Sequence, residues 1–215
     1  MIKNLHLEIL NKNQGLIIKK LDFLAKYDFY LAGGTALALQ LGHRTSLDFD
    51  FYTRKNFDSD RLFNEISKTF GNKVIKTGVA KDTLFCQIKD VENSFFRYKF
   101  KLVRPLIRIN GVFLASLEDI AAMKLVAISH RPAKRDYIDV YYLLSKFNLS
   151  EMLSFAEKKF ITFNSYYTLR ALTYFEDIKD NEERRIEMTN KNFSWKKAKE
   201  KILEEVKKYQ LSMIK

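Results

Sequence analysis

The sequence predicts an α+β chain in two parts, an α/β half over residues 1–115 and a helical half over 116–215. Three observations predict it. Alternating apolar residues and turn signals are confined to the first part, apolar residues recur at helical spacing from Ser116 almost to the end, and no flexible linker separates the two. The halves are therefore expected to pack together, the helical one closing a cleft. A chain of 215 residues is long enough for either one large domain or two small ones with a real core.

The elements follow in order. Residues 3–26 read as a helix through Leu5, Ile9, Leu16, Leu21 and Leu24, with Gly15 as the point where it could break. Phe29-Tyr30-Leu31-Ala32 is a short apolar segment ended by Gly33-Gly34, and Thr35 to Leu41 is a short helix closed by Gly42. Leu47 to Tyr52 alternates strictly and predicts a strand. Asp58 or Ser59 caps a helix carrying Leu62, Phe63, Ile66 and Phe70, ended at Gly71. Strands are expected over 73–79, 83–89 and 94–101, and Asn110-Gly111 between two apolar triplets signals a hairpin. Ser116-Leu117-Glu118-Asp119 resembles a capping box, and helices are expected near 117–130, 134–147, 150–160, 165–176 and 194–210.

Hydrophobic residues make up 47% and charged ones 30%, which excludes a disordered chain. The net charge of +12 fits a polyanionic partner such as RNA or a nucleoside triphosphate, and fits equally a surface rich in lysine, so charge alone does not decide. The single cysteine, Cys86, excludes an intramolecular disulfide, and His6 and His130 lack the spacing of zinc ligands. No run approaches a membrane span and no apolar leader opens the chain, so a cytoplasmic protein without a membrane partner is expected.

Two motifs carry chemistry. In Leu31-Ala32-Gly33-Gly34-Thr35-Ala36-Leu37 a strand enters a two-glycine turn and a helix leaves it. Glycines allow close approach of backbone N–H groups to a ligand, and the unpaired N–H groups opening the helix favour an anion. In Leu47-Asp48-Phe49-Asp50-Phe51-Tyr52 the period of two puts Leu47, Phe49 and Phe51 on one face and both aspartates on the other. The aspartates are then spaced roughly 6.5–7 Å along the strand. Aspartate is a poor strand former and two such charges repel, an arrangement that a divalent cation relieves. A solvated polar strand face is the alternative.

The order Gly33-Gly34, thirteen residues, Asp48-x-Asp50 resembles the signature of the DNA polymerase β-like nucleotidyltransferase superfamily. The longer stretch through Gly42-His43-Arg44-x-Ser46, the segment Phe95-Phe96-Arg97-Tyr98, and a block running from Ser116 through Lys124 to Arg131, Arg135, Asp136 and Asp139 resemble the AbiEii/AbiGii toxin family within it. The resemblance spans about residues 29–145. It implies a polymerase β-like core with a mixed sheet, a nucleoside triphosphate substrate and Mg2+ or Mn2+ held by Asp48 and Asp50. It implies phosphate contacts from Gly33, Gly34, Thr35, Arg44, Ser46 and Lys124, catalytic importance for Asp48, Asp50, Lys124 and Asp139, and support from Arg135 and Asp136. It further implies a toxin of a toxin–antitoxin or phage-defence system with a separately encoded antitoxin, and an acceptor such as the 3′ end of transfer RNA.

Read physically, Lys124 is the one charged residue between Asp119 and His130, on an apolar stripe, so it either snorkels to the surface or meets a partner. Asp136 in the first turn of its helix is explained by the helix dipole, whereas Asp139 lies among Ile138, Val140, Tyr141 and Leu143 and needs a partner, with Lys124 and Arg135 as candidates. Arg44 holds a phosphate or pairs with an aspartate, and His43 reads as a loop residue.

The chain departs from the family pattern at one place. The superfamily usually supplies a third carboxylate from a neighbouring strand; resemblance to the AbiEii-like family implies it just before the Phe-Phe-Arg-Tyr segment, and here that residue is Ser94. Glu92, two residues earlier on the same face, is a longer-armed substitute, and Asp90 a more distant one. Catalysis could then be slow, rearranged or absent, which leaves open a nucleotide-binding protein without turnover. A small-molecule nucleotidyltransferase of antibiotic type is a third reading, less suited to a chain of charge +12.

Overall fold

The structure, a computed structural model, describes residues 5–109, 111–176, 178 and 187–214. The chain forms two compact units, one of Met1–Lys101 with Pro105–Ser116, the other of Leu102–Arg104 with Leu117–Lys215. No helix among the described residues is long and apolar enough to cross a membrane.

In the first unit the single N-terminal helix expected over 3–26 is replaced by three short pieces, with residues 3 and 4 outside the described ones. Two 3-10 segments, Leu7–Ile9 and Asp22–Tyr27, flank helix α1 at Lys12–Ile18. The restart lies at Asn11, whose side chain accepts from the Gln14 N–H while Gln14 reaches back to the Asn11 N–H. Gly15 lies inside α1 and breaks nothing.

The described residues of this unit build one mixed sheet from β1 (Tyr30–Ala32), β2 (Phe49–Thr53), β3 (Val74–Ala80), β4 (Thr83–Ile88), β5 (Val91–Arg97), β6 (Ile107–Ile109) and β7 (Val112–Leu114). The strand order is β3-β4-β5-β2-β1-β7-β6. The β1–β7 and β2–β5 pairs are parallel and the others antiparallel. Strand β5 starts three residues earlier than expected because Lys89 and Asp90 both take positive φ, 48° and 68°, and close a two-residue turn. The β6–β7 hairpin forms as expected, with Asn110 itself outside the described residues.

Helices α2 (Gly33–Leu41) and α3 (Ser59–Phe70) pack on β1–β2 and β3–β4 respectively. Asp58, not Ser59, caps α3, its carboxylate accepting from the Asp60 and Arg61 N–H groups at 2.9 and 3.0 Å. One sheet face, with Leu31, Phe49, Phe51, Leu84, Cys86, Ile88 and Phe95, is fully buried. The alternate residues Asp50, Tyr52, Ser94 and Phe96 are half-buried and Phe85 is exposed.

The second unit is helical: α4 (Leu117–His130), α5 (Lys134–Leu143), α6 (Leu149–Lys159), α7 (Ser165–Thr173) and α8 (Trp195–Ser212). Helix α4 packs against α5, α6 and α7, and α8 against α5, α6 and α7. Helices α5 and α7 end a few residues before their expected limits. A buried ion pair anchors the unit. Lys159 at the end of α6 meets Asp119 in the first turn of α4 at 2.7 Å, with both side chains 0% exposed. The same carboxylate accepts from the Val103 and Arg104 N–H groups at 3.0–3.1 Å. It is thus fully engaged, as a buried charge must be.

Candidate active site

The glycine turn and the aspartate strand meet. Strand β1 and β2 lie side by side with Ala32 opposite Asp50, so the residue after Ala32 reaches the Asp50 carboxylate. Gly33 has φ +68°, and a Cβ there would lie 2.8 Å from Asp50 Oδ2. Position 33 therefore demands glycine twice, for its left-handed backbone and for the space the carboxylate occupies. A Cβ on Gly34 would fall 2.6 Å from Arg44 Nη2 and 3.2 Å from Ser46 Oγ. The Arg44 and Ser46 side chains thus rest directly on the turn.

The loop between α2 and β2 brings those side chains there. It starts at Gly42, with φ +63°, where a Cβ would come within 2.5 Å of the His6 ring. Its far end is tied by Gln14, whose amide donates to the Ser46 carbonyl at 2.7 Å. Arg44 is buried and donates from Nη1 to the Thr45 carbonyl at 2.9 Å. His43, a loop residue, is buried too. Thr35, 1% exposed, donates its hydroxyl proton to the Asp48 carbonyl and so fastens the start of α2 to the entry of β2.

Strand β2 begins at Phe49, so Leu47 does not share the Phe49 face as expected and is 51% exposed. Asp48 stands just outside the strand, its carboxylate 3.4 Å from the Ser46 hydroxyl. Asp48 and Asp50 are both half-buried, unlike every other residue type on the opposite face of β2, where Phe49, Phe51 and Thr53 are 0% exposed. The site is thus a carboxylate at Gly33, a second carboxylate beside Ser46, and a guanidinium on Gly34.

The parallel β2–β5 register puts Ser94 directly opposite Asp50. Glu92, exposed and on the Ser94 face, accepts from Gln87 Nε2 at 3.3 Å. Asp90 lies in the β4–β5 turn. Among the described residues no group of three or more His, Cys, Asp or Glu side chains stands close enough to hold a metal ion.

In the second unit the structure brings together three of the expected residues. The Lys124 ammonium lies 2.5 Å from Asp136 Oδ1 and 2.6 Å from Asp139 Oδ2. Lys124 is 7% exposed and the aspartates 1% and 0%, so the lysine neither snorkels to the surface nor stands alone. Asp136 Oδ2 makes no hydrogen bond, and the Arg131 guanidinium approaches it to 3.9 Å. Asp136 is therefore more than a first-turn carboxylate facing a helix dipole. Arg135 is half-buried at the start of α5.

The Asp119–Lys159 pair was not singled out in the sequence. Each residue has a sufficient local explanation, an acidic first turn and a basic last turn, and only the Val103–Arg104 backbone and the helix packing reveal their joint burial.

Residues 21–211 match the family model described as nucleotidyl transferase AbiEii toxin, type IV toxin–antitoxin system. The chain is 37% identical over 188 residues to the Aquifex aeolicus (strain VF5) protein aq_aa25, covering 85% of this chain and 88% of that one. Among solved structures, MenT4, the nucleotidyltransferase toxin Rv2826c from Mycobacterium tuberculosis H37Rv, matches with a TM-score of 0.59 at 13% identity, over 89% of this chain and 82% of its own. JHP933 from Helicobacter pylori matches with a TM-score of 0.53 at 19% identity, over 97% of both chains. At such identities the structural likeness speaks for the fold. The family match covers nearly the whole chain, and the protein belongs to the AbiEii nucleotidyl transferase toxin family.

Proposed function

We infer that this family member is a metal-dependent nucleotidyltransferase. It moves a nucleotide from a nucleoside triphosphate to an RNA acceptor such as the 3′ end of a transfer RNA, and a separately encoded antitoxin restrains it. The observation that carries the reading is the Asp50 carboxylate resting against Gly33, which sets an acidic group beside a helix-opening turn. Two carboxylates completed by substrate phosphates are a common way of holding magnesium, so Asp48 and Asp50 suit Mg2+ or Mn2+. Bound there, such an ion would offset phosphate charge and orient the triphosphate.

In this reading Gly33, Gly34 and Thr35 present the start of α2 to the phosphates, and Arg44 and Ser46, already seated on Gly34, add a cation and a hydroxyl. The acceptor hydroxyl oxygen bonds to the α-phosphorus, the bond to the β-phosphate bridge breaks, pyrophosphate leaves, and the hydroxyl proton goes to solvent. Lys124, ion-paired at 2.5 and 2.6 Å with Asp136 and Asp139, is the second unit's candidate phosphate cation, with Arg135 in support. The protein's share of the catalysis is positioning and electrostatics.

The test is incubation of purified protein with magnesium, each labelled nucleotide and bulk RNA, alongside Asp48→Ala. Label transfer lost in the variant supports the reading. No transfer, with toxicity indifferent to Asp48→Ala, defeats it. Ser94 opposite Asp50 favours a second reading, a nucleotide-binding protein without turnover, for which calorimetry would find nucleotide affinity without product.

A further inference from the structure

The sheet of the first unit carries an aromatic row that the site described above does not use. On the half-buried face, Phe85 pairs with Ser94 and Ser94 with Asp50, so all three lie on one line across β4, β5 and β2. Phe85 is two strand spacings from Asp50, roughly 10 Å. Its ring meets Phe96 edge-on at 5.4 Å, and Phe96 in turn lies 5.6 Å from Tyr52. On its outer side Phe85 is opposite Gly78, where a Cβ would come within 3.1 Å of the ring, so a side chain there would press on it. Phe85 is nevertheless 37% exposed, and Ile75 on the same strand as Gly78 is 59% exposed.

We propose that Phe85, supported by Phe96, is a stacking platform for an unpaired base near the reacting end of the RNA acceptor. The inference rests on the transferase reading and adds to it the place where the acceptor is gripped. Stacking on an aromatic ring suits any base, because every base has a π-face. The charge of the unit suits a phosphate backbone: it holds more Lys and Arg than Asp and Glu, and Lys73 and Lys81 are exposed at the two ends of β3, with Glu92 the exposed carboxylate on the Phe85 face. A protein strand adding to the β3 edge is disfavoured by the bulge between Lys76 and Gly78 and by the lysine itself.

The experiment measures the affinity of the full chain for a fluorescein-labelled single-stranded oligoribonucleotide by anisotropy, in EDTA and without nucleotide, so that no turnover is needed. Phe85→Leu, which keeps apolar volume and removes the π-face, is expected to weaken binding about tenfold, the scale of one lost base stack. Phe85→Trp and Phe85→Tyr are expected to restore it, and Val79→Ser, exposed on the opposite side of β3, to leave it alone. Wild-type affinity in Phe85→Leu, or no oligonucleotide binding by the wild type, overturns the proposal. So does a Phe85→Leu defect confined to the KM of the nucleoside triphosphate, or one confined to capture of a co-expressed antitoxin. If the Phe85 dependence holds while no label is ever transferred, Phe85 stands as an RNA-stacking residue, and the transferase reading falls together with the acceptor role.

Discussion

The two units treat their carboxylates in opposite ways. In the first, Asp48 and Asp50 are half-buried, Asp50 beside a glycine turn on the strand face that the core does not use and Asp48 beside Ser46 just ahead of the strand. In the second, Asp119, Asp136 and Asp139 are at most 1% exposed, and each lies within 2.7 Å of a lysine ammonium. A carboxylate left at the margin of the core costs little stability and remains within reach of a ligand. A carboxylate sealed inside becomes part of the scaffold, and removing its partner strands an uncompensated charge. The same residue type thus stays half-buried in one unit and is sealed into ion pairs in the other.

The largest expected effect tests the architectural side. Asp119→Ala strands the Lys159 ammonium and two backbone N–H groups, and should destabilise the second unit by about 3–5 kcal/mol. A urea melt followed by helical circular dichroism reads this. The double variant Asp119→Leu with Lys159→Met should recover much of the loss, and if it does not, the pair is more than an ion pair. Next is the chemical side. Asp50→Asn should lower nucleotide transfer on the order of 10²–10³-fold with little change in melting temperature, a magnitude typical of losing one electrostatic contact to the transition state. A melting temperature that falls along with activity would erase the contrast between the units.

A smaller effect sharpens the contrast within the first unit. Ser94 faces Asp50 across the parallel pair, so Ser94→Asp should restore the missing carboxylate and raise transfer by roughly tenfold or less, with a steeper dependence on magnesium. Initial rates over a magnesium titration check this, and unchanged rates would mean that Ser94 is adequate as it stands. The smallest effect concerns Cys86. Burial, helped by the nearby Glu92 charge, pushes its thiol up to about 12. Iodoacetamide at mildly alkaline pH should leave the folded chain unmodified by intact mass, and label it once guanidinium unfolds it.

What the sequence reveals depends on how far apart the cooperating residues lie. Asp50 facing away from Phe49 and Phe51 is readable because a strand has a period of two, and Gly33-Gly34 is readable because two glycines between an apolar segment and a helical one mark a turn. Helices α4 to α8 are readable from apolar spacing and capping residues. The β4–β5 turn is missed because Lys89 and Asp90, neither a glycine nor an asparagine, adopt positive φ under the pull of the flanking strands. Arg44 on Gly34, Thr35 on the Asp48 carbonyl, and Gln14 on the Ser46 carbonyl require the chain to return to itself over ten to thirty-odd residues, which no local pattern encodes. Lys159 and Asp119 are forty residues apart, and each is locally unremarked.

The contact between Gly33 and Asp50 couples two positions that a mutational scan would treat as separate. Adding a methyl group at 33, which would fall 2.8 Å from Asp50 Oδ2, displaces the acid at 50, so a change at 33 would present as a backbone defect while acting on the acid as well. Their substitution effects should overlap rather than add, and a shortened side chain at 50 relieves the clash with an added Cβ at 33 while the φ of +68° there still favours glycine.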